Sequence, residues 1–501
     1  MIIESLHIQG PIRDKADVCI IGSGSAGSIL AYRLQKAGMR VIVLEEGGYY
    51  TNKDFTSNPT EMMGKLYKNR GLMMTVGTPV IPICQGRCVG GSSVINTGTC
   101  FRTPISVLED WEKNEGVEGL SASDLLPHFQ DLEQVLGVGP VLEALVGRNN
   151  LILKSGLEKL GWRGALLPKN APTCIGCSRC NIGCPINAKK SMLITYLPMA
   201  SDLGTKIYAD CRVEQILTQR RRAVGVRGAI LDRATEKREQ EFEILADRVI
   251  LCAGAFGSPM ILQKSHLANS SGQVGKNLHI HPAGAAFALF PEEILGWQGN
   301  PQGFGIYQFE EEGILIESSF GPVELMASSL PFGGKEHKEW MAQFKHWAAY
   351  GALIKDESSG SVRWLPGWRP WVTYHLTPSD ATRIVRGLQY LAQAYFASGA
   401  RDVYAAIRGF PILHSMEEVE LAWKRYSVNG QDLELAAFHP MGTCRMGADR
   451  KRAVVDSRCQ TYDIENLYIC DSSVLPTALG VNPQLTIMAV ASRTAERMIH
   501  N

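Results

Sequence analysis

Four cysteines, Cys174, Cys177, Cys180 and Cys184, followed directly by Pro185, spell C-x2-C-x2-C-x3-C-P in the segment TCIGCSRCNIGCPINAKKSM. Two-residue gaps let successive thiolates converge on one small inorganic core. This is the spacing that wraps an iron–sulfur cluster in bacterial ferredoxins, so a 3Fe-4S or 4Fe-4S cluster is one expectation. In two-cluster ferredoxins the fourth cysteine serves the other cluster, and only one run is present here, so the fourth ligand stays open. Zinc on four thiolates is the second reading, although zinc motifs usually come as separated pairs. Structural or free thiols are the third.

A second group of residues points to nucleotide chemistry. In DVCIIGSGSAGSILAYRLQKAGMRVIVLEEGG, from Asp17 to Gly48, the glycines Gly22, Gly24 and Gly27 form GxGxxG, and Glu45 lies eighteen residues beyond the last of them. The first glycine permits a tight turn, the second lets backbone N–H groups approach a pyrophosphate at a helix N-terminus, and the third lets helix and strand pack closely. Glu45 can accept hydrogen bonds from a ribose. With Ser25 opening the helix, these five are the candidate dinucleotide-binding residues.

Such residues need particular elements to hold them. Val18 to Ile21 reads as a buried strand, an amphipathic helix follows, and Val41 to Leu44 reads as a second strand, which is a βαβ unit. Lys206 to Val213 alternates as a strand, and a hairpin-like polar stretch follows to Glu243. Arg248 to Pro259, RVILCAGAFGSP, reads as a buried strand running through a glycine turn into a helix, a further element of a doubly wound sheet. Gly90, Gly91, Ser92 and Asn96, in GRCVGGSSVIN, are small enough for close backbone approach to a ligand. Residues 49 to 80 read as an excursion that covers a cofactor. Trp111 to Gly164 reads as mainly helical, and Ser379 to Ala400 as an amphipathic helix ended by Gly399.

Length and composition bound the rest. A chain of 501 residues exceeds one compact core, so two domains are expected. With 45% apolar residues, 20% charged residues and a net charge of +1, nothing marks an electrostatic footprint for nucleic acid. The first residues lack a basic stretch followed by a long apolar core, and no apolar run approaches the roughly 20 residues that span a bilayer. A cytoplasmic location is expected, with peripheral membrane contact left open. Thirteen cysteines without a secretory signal suggest reduced thiols or metal ligands over a disulfide framework.

The opening βαβ unit, the GRCVGGSSVIN segment, and the C-terminal HPMGTCRMG and DSSVLPTALGVNPQLTIMAVA together resemble the glucose-methanol-choline (GMC) flavoprotein oxidoreductases, in the expected order along the chain. The resemblance implies an α/β fold, α+β overall: a doubly wound, FAD-binding Rossmann-like domain interleaved with a substrate domain built on an antiparallel sheet with helices. The expected boundaries are 1–110, 200–282 and 436–501 for the FAD-binding domain, 111–199 for a helical and cysteine-rich insertion, and 283–435 for the substrate domain. FAD is the implied cofactor, with Gly90, Gly91, Ser92 and Asn96 beside the flavin or pyrophosphate, a backbone group near Val213 on the adenine, and Asp471 beside the ribityl and pyrophosphate. Cys88 stands at or close to the place where some members use a histidine to tether the flavin, so FAD is expected to be non-covalent.

The resemblance also implies the reaction. His439, opening HPMGTCRMG, and Asn482, in GVNPQLT, match the family's active-site pair. A neutral imidazole can accept the hydroxyl proton of an alcohol, while hydride leaves carbon for the flavin. Asn482 can donate a hydrogen bond to the substrate oxygen. It can also cap a helix that starts at Pro483 and aims its positive end at reduced flavin. His279 and His281, in VGKNLHIHP, are expected to be hydrogen-bonded scaffold. Seven of the nine tryptophans fall between Trp297 and Trp423, which points to a bulky or long-chain apolar alcohol. Relatives similar to cholesterol oxidases and long-chain alcohol oxidases carry cysteines before an AK-S-YLP pattern like Ala188 to Pro198, whereas certain dehydrogenase members hold a cluster in a cysteine run. The expected activity is thus a dehydrogenase with an Fe–S electron exit to a protein or quinone. An oxidase using O2 and an Fe–S/FAD electron-transfer flavoprotein are the alternatives.

Overall fold

The computed structural model describes residues 1–330, 332–425 and 428–500. The first apolar run forms β1 (Ile12–Ile21), which turns into α1 (Ser25–Lys36) and returns as β2 (Val41–Leu44). Val18, Ile20, Val43, Ile29, Leu30 and Leu34 are all buried. Strands covered on both faces read as continuous apolar runs, which is why no alternation marks them.

The expected strand from Lys206 to Val213 is in fact two, β3 (Lys206–Tyr208) and β4 (Cys211–Gln219). Asp210 divides them with a left-handed φ of +58°. Its carboxylate is held there by Ser5 Oγ at 3.0 Å and Arg233 Nη2 at 2.7 Å. The polar stretch that follows makes β5 (Arg222–Leu231) and β6 (Arg238–Leu251), an antiparallel meander with β4. The sheet runs Ile2–Ile3, β3, β2, β1, β6, β5, β4, and the strand Leu467–Ile469 pairs with the end of β6.

β1, β2, β6 and Leu467–Ile469 are mutually parallel where they meet. Their carboxyl ends therefore open at one edge, and the turns after Ile21, Leu251 and Ile469 lie side by side. In such sheets ligands bind in that crevice. From β6 the chain passes through Cys252 and Ala253 into α2 (Gly254–Ser265).

The second sheet is antiparallel. It is built from β7 (Ala283–Leu289), β8 (Phe304–Ile306), β9 (Ile314–Ser318) and β10 (Trp347–Ile354), and it is crossed by α3 (Pro378–Ala397) before β11 (Asp402–Ala405) closes its edge. The order is β11, β7, β10, β9, β8, then Gly164–Leu166, which begins where the stretch expected to be helical ends. Gly387 explains how α3 sits so low: a Cβ there would stand 2.8 Å from the Ala352 methyl. Among the described residues no helix is long and apolar enough to cross a membrane.

The aromatic residues of this half mostly fill cores. Trp340, Trp347, Phe320 and Phe344 are buried together, with Trp297 stacked on Phe344 at a centroid distance of 5.2 Å. Tyr374 is buried with its hydroxyl on Asp356. These residues are taken up by core packing. Trp368 alone among the tryptophans lines the large cavity described below.

Candidate active site

Where the parallel strands end, the three glycines of the first loop do different work. A Cβ on Gly22 would stand 2.3 Å from the Cys252 carbonyl oxygen, and one on Gly27 would stand 2.0 Å from the Gly22 carbonyl oxygen. Those two serve close packing. Gly24 is the N-cap of α1 and has open space beside it: a Cβ there would meet only Gly91 Cα, at 4.0 Å. That space belongs to a cavity that opens at the strand ends.

Eight of the expected residues line this cavity: Gly22, Gly24, Ser25, Glu45, Gly91, Ser92, Val213 and Asp471. Gly27 and Gly90 stand behind its wall. Asn96 instead donates its amide to the Gln484 side chain, and the Pro483 carbonyl accepts the Ile487 N–H at 2.9 Å to open the C-terminal helix Gln484–His500. Both acids are buried and hydrogen-bonded. Glu45 accepts from the Ser23 hydroxyl at 2.6 Å and the Gly47 N–H at 2.9 Å, and Ser23 Oγ in turn accepts the Gly90 N–H at 3.0 Å, which ties the two glycine loops together. Asp471 accepts the Gly254 N–H at 2.8 Å and the Ser258 hydroxyl at 2.5 Å. Burial pushes both carboxyls up, against these donors.

Glu46, Lys68 and Arg87 also line the cavity, and no local pattern announced them. Burial pushes the Glu46 carboxyl up, but Lys68 at 2.8 Å and Arg87 at 3.3 Å outweigh it and hold the group at about 2. A wall of bare backbone, a helix N-terminus, two cations and buried acids fit the pyrophosphate and ribose of a dinucleotide.

The HPMGTC segment runs along the same edge. The Gly442 N–H donates to the Ser472 carbonyl at 3.1 Å and the Cys444 N–H to the Ser473 carbonyl at 2.8 Å. Just upstream, half-buried His439 lies between His281 and Asn482. Its Nδ1 is 3.3 Å from His281 Nδ1, and its Nε2 is 3.3 Å from Asn482 Nδ2. His281, expected to be scaffold, thus touches the catalytic candidate directly. It is buried in a left-handed conformation, φ +49°, with its N–H held by Asp356 at 3.1 Å. A non-glycine residue held at such a φ is a strained position of the kind that clusters at functional sites.

The hydrogen bonds fix the tautomer of His281. His281 Nε2 accepts two backbone N–H groups, from Leu479 and Gly480, each at 3.0 Å. Its proton is therefore on Nδ1 and points at His439 Nδ1, which asks for the proton of neutral His439 on Nε2, whereas the Asn482 amide donor at Nε2 asks for it on Nδ1. Burial draws His281 down to about 4, and burial together with His281 draws His439 down to about 3, so both rings are neutral at ordinary pH.

Beyond Asn482 stands Glu317, on β9, which sequence reasoning missed. It is buried, its Oε2 accepts the Gln302 amide at 3.1 Å, and burial pushes it up to about 7 against the pull of Lys169 and Asn482. Lys169, also buried, donates to Thr99 Oγ1 at 3.0 Å and the Gln302 carbonyl at 2.7 Å. Glu317 Oε1 and Asn482 Oδ1 are both buried without a hydrogen-bond partner. Buried polar atoms are rarely left so, and an incoming hydroxyl is the kind of group that completes them.

The cysteine run makes a separate site. Cys174, Cys177, Cys180 and Cys184 line one smaller cavity. The tight convergence expected from their spacing is not seen: among the described residues no group of three or more His, Cys, Asp or Glu side chains is placed to hold a metal ion.

A parallel sheet whose strand ends share a glycine-walled cavity, beside an imidazole, an amide and a buried carboxyl, defines a dinucleotide-dependent oxidoreductase. Comparison with known proteins gives the family. The model of the GMC oxidoreductase N-terminal domain matches residues 63–283 and that of the C-terminal domain residues 356–491, and an FAD binding domain model matches residues 17–56. The chain is 36% identical over 497 residues to an uncharacterized GMC-type oxidoreductase of Mycobacterium tuberculosis, covering 99% of this chain and 77% of the relative. It is 29% identical to a long-chain-alcohol oxidase of Arabidopsis thaliana, covering 97% and 67%. Among solved structures, pyridoxine 4-oxidase from Mesorbium loti matches with a TM-score of 0.74 at 20% identity, over 97% of this chain and 99% of that one. The chain belongs to the GMC oxidoreductases and is an FAD-dependent oxidoreductase.

Proposed function

We propose that this enzyme oxidises an alcohol to a carbonyl at the face shared by His439 and Asn482. The observation that carries this is the line His281, His439, Asn482, with the unpartnered oxygens of Asn482 and Glu317 beyond it. FAD, when bound, supplies the acceptor for the hydride.

The chain's own groups manage the oxygen and its proton. His439 Nε2–H holds the alcohol oxygen, Asn482 is placed beside it, and the N–H donor stabilises negative charge as it develops there. Glu317, whose carboxyl titrates near the working pH, takes the hydroxyl proton. The competing assignment, proton acceptance by His439 Nε2, requires the imidazole proton on Nδ1, the tautomer that the Asn482 amide favours and the His281 N–H opposes.

We assign the substrate to the bulky or long-chain apolar alcohols. Phe438, next to His439, is exposed, and Ala437 pairs with Ile83 of a hairpin that exposes Met74 and Val80. Val76 of the same hairpin pairs with Thr373, two residues from exposed Trp371. Exposed apolar side chains so gathered around the catalytic segment suit an apolar chain. The long-chain-alcohol oxidase names among the relatives support the same class, and they also support the second reading, that the flavin returns its electrons to O2. The test is a series of straight-chain primary alcohols assayed with an artificial acceptor. kcat/KM is expected to rise with chain length, by up to about fifteenfold for every two methylenes buried at about 0.8 kcal/mol each. Equal rates across the series, or a preference for a sugar, would overturn the substrate assignment.

A further inference from the structure

Part of the wall of the dinucleotide cavity comes from the other half of the chain. Ser361–Leu365 and Arg369–Thr373 pair as an antiparallel hairpin, and its tip, Pro366-Gly367-Trp368, brings Trp368 to the cavity. Among the described residues Trp368 is the one aromatic side chain on that wall. It packs against the apolar cores of both halves.

The hairpin is pinned to α2 through both ends of one amide. Gln263 Oε1 accepts the Trp364 N–H at 2.6 Å, and Gln263 Nε2 donates to the Val362 carbonyl at 2.9 Å. Two cations then meet the Trp368 ring: Lys264 Nζ is 4.4 Å from its centroid, and the Arg212 guanidinium carbon is 5.3 Å from it. Glu214 accepts from both, at 3.3 Å and 2.9 Å, so the cations are fixed around the indole with their charge compensated. Trp368 also has a left-handed φ of +59°. A bulky residue in that region is an outlier where a turn ordinarily uses glycine, and strain of this kind collects at ligand clamps.

The topology says which end of the cavity this is. Asp471 holds the N–H of Gly254, the first residue of α2, and the Ser472 carbonyl accepts from Gly442 of the segment that carries His439, so the reacting ring belongs there. Lys264 lies ten residues further along α2, about 15 Å at 1.5 Å per residue. Crossing the sheet gives the same order. The glycine loop follows β1, Glu45 follows β2, and Cys211, whose N–H donates to the Glu45 carbonyl at 2.7 Å, opens β4 beside Arg212 and Val213. Pyrophosphate, ribose and then base is the order in which a dinucleotide crosses such an edge. Trp368 stands at the base.

We infer that Trp368 is the aromatic wall against which the adenine of FAD packs, supplied to the cofactor domain by a hairpin of the other half of the chain. The assignment concerns the cofactor's non-reacting end and stands apart from the choice of substrate.

The test uses the full chain stripped of flavin and titrated with FAD, followed by flavin fluorescence, with ADP as a competitor. Trp368→Ala is expected to weaken FAD by about 5- to 150-fold, which is about 1 to 3 kcal/mol at about 1.4 kcal/mol per tenfold, the range for a base that loses its aromatic partner. ADP carries the base without the flavin and should lose the same factor. Trp368→Phe should restore both to within a few-fold. If Trp368→Ala fails to fold, Trp368→Gly relieves the left-handed backbone and should show the same loss. FAD bound as tightly by these variants as by the parent chain, FAD weakened with ADP unchanged, or ADP that does not compete in the parent at millimolar concentration would overturn the inference. No alcohol is present in the experiment, so each of these outcomes leaves the alcohol assignment standing.

Discussion

His439→Ala is expected to lower alcohol-driven flavin reduction by about 10² to 10³-fold, the usual cost of removing one donor aimed at a developing oxyanion. The loss should fall on kcat more than on KM, because the hydrogen bond from Nε2 strengthens as the oxygen gains charge. Chemical reduction by dithionite and FAD content should not change, since the cavity that holds the cofactor is walled by other residues. His281 Nδ1–H loses its acceptor in this variant, so a stability loss of about 1 to 3 kcal/mol accompanies it. Melting temperature separates that effect from the chemical one. Alcohol turnover within a few-fold of the parent enzyme would remove His439 from the site.

Glu317→Gln is expected to lower kcat/KM by about 10² to 10⁴-fold, the range for removing a general base, and to change the shape of its pH dependence. The direction follows from the shift. Because burial raises this carboxyl to about 7, it is protonated and inactive below that pH and ionised above it, so kcat/KM of the parent enzyme rises through pH 7. His439, drawn down to about 3, adds no limb in the range from pH 5 upward. In the variant the rise at pH 7 should vanish, and His439→Ala should keep it. A carboxyl that only supported Lys169 would cost stability without moving the profile. If the limb near pH 7 survives in Glu317→Gln, the proton acceptor is another group, and His439 is then the candidate.

What the chain's order reveals depends on how local the determining contacts are. The dinucleotide loop is legible because Gly22, Gly24, Gly27 and Glu45 work within one βαβ unit, and only the division of labour among the glycines needed coordinates. The break at Asp210 was not legible, because the partners that hold its left-handed turn are Ser5 and Arg233. Glu317 is hidden for the same reason. It is an acid in an apolar strand, and it gains meaning only when the second sheet delivers it to Asn482. His281 reads as scaffold in VGKNLHIHP, and its contact with His439 depends on a backbone conformation that no spacing announces. The tryptophans show the opposite failure: composition reports their bulk, but core packing absorbs Trp340 and Trp347 as readily as a pocket would. Lys189 sits inside a recognised pattern, AK-S-YLP, yet its burial against the cysteine cavity emerges only in three dimensions.

The central claim is that an alcohol bound against His439 and Asn482 delivers hydride to FAD in this chain. Anaerobic mixing of the FAD-loaded enzyme with a long-chain primary alcohol tests it most directly, by following the flavin's visible absorption and the carbonyl product together. Full bleaching with one carbonyl formed per flavin is the expected result. A flavin that stays oxidised with every alcohol of the series, while dithionite bleaches it at once, would contradict the account.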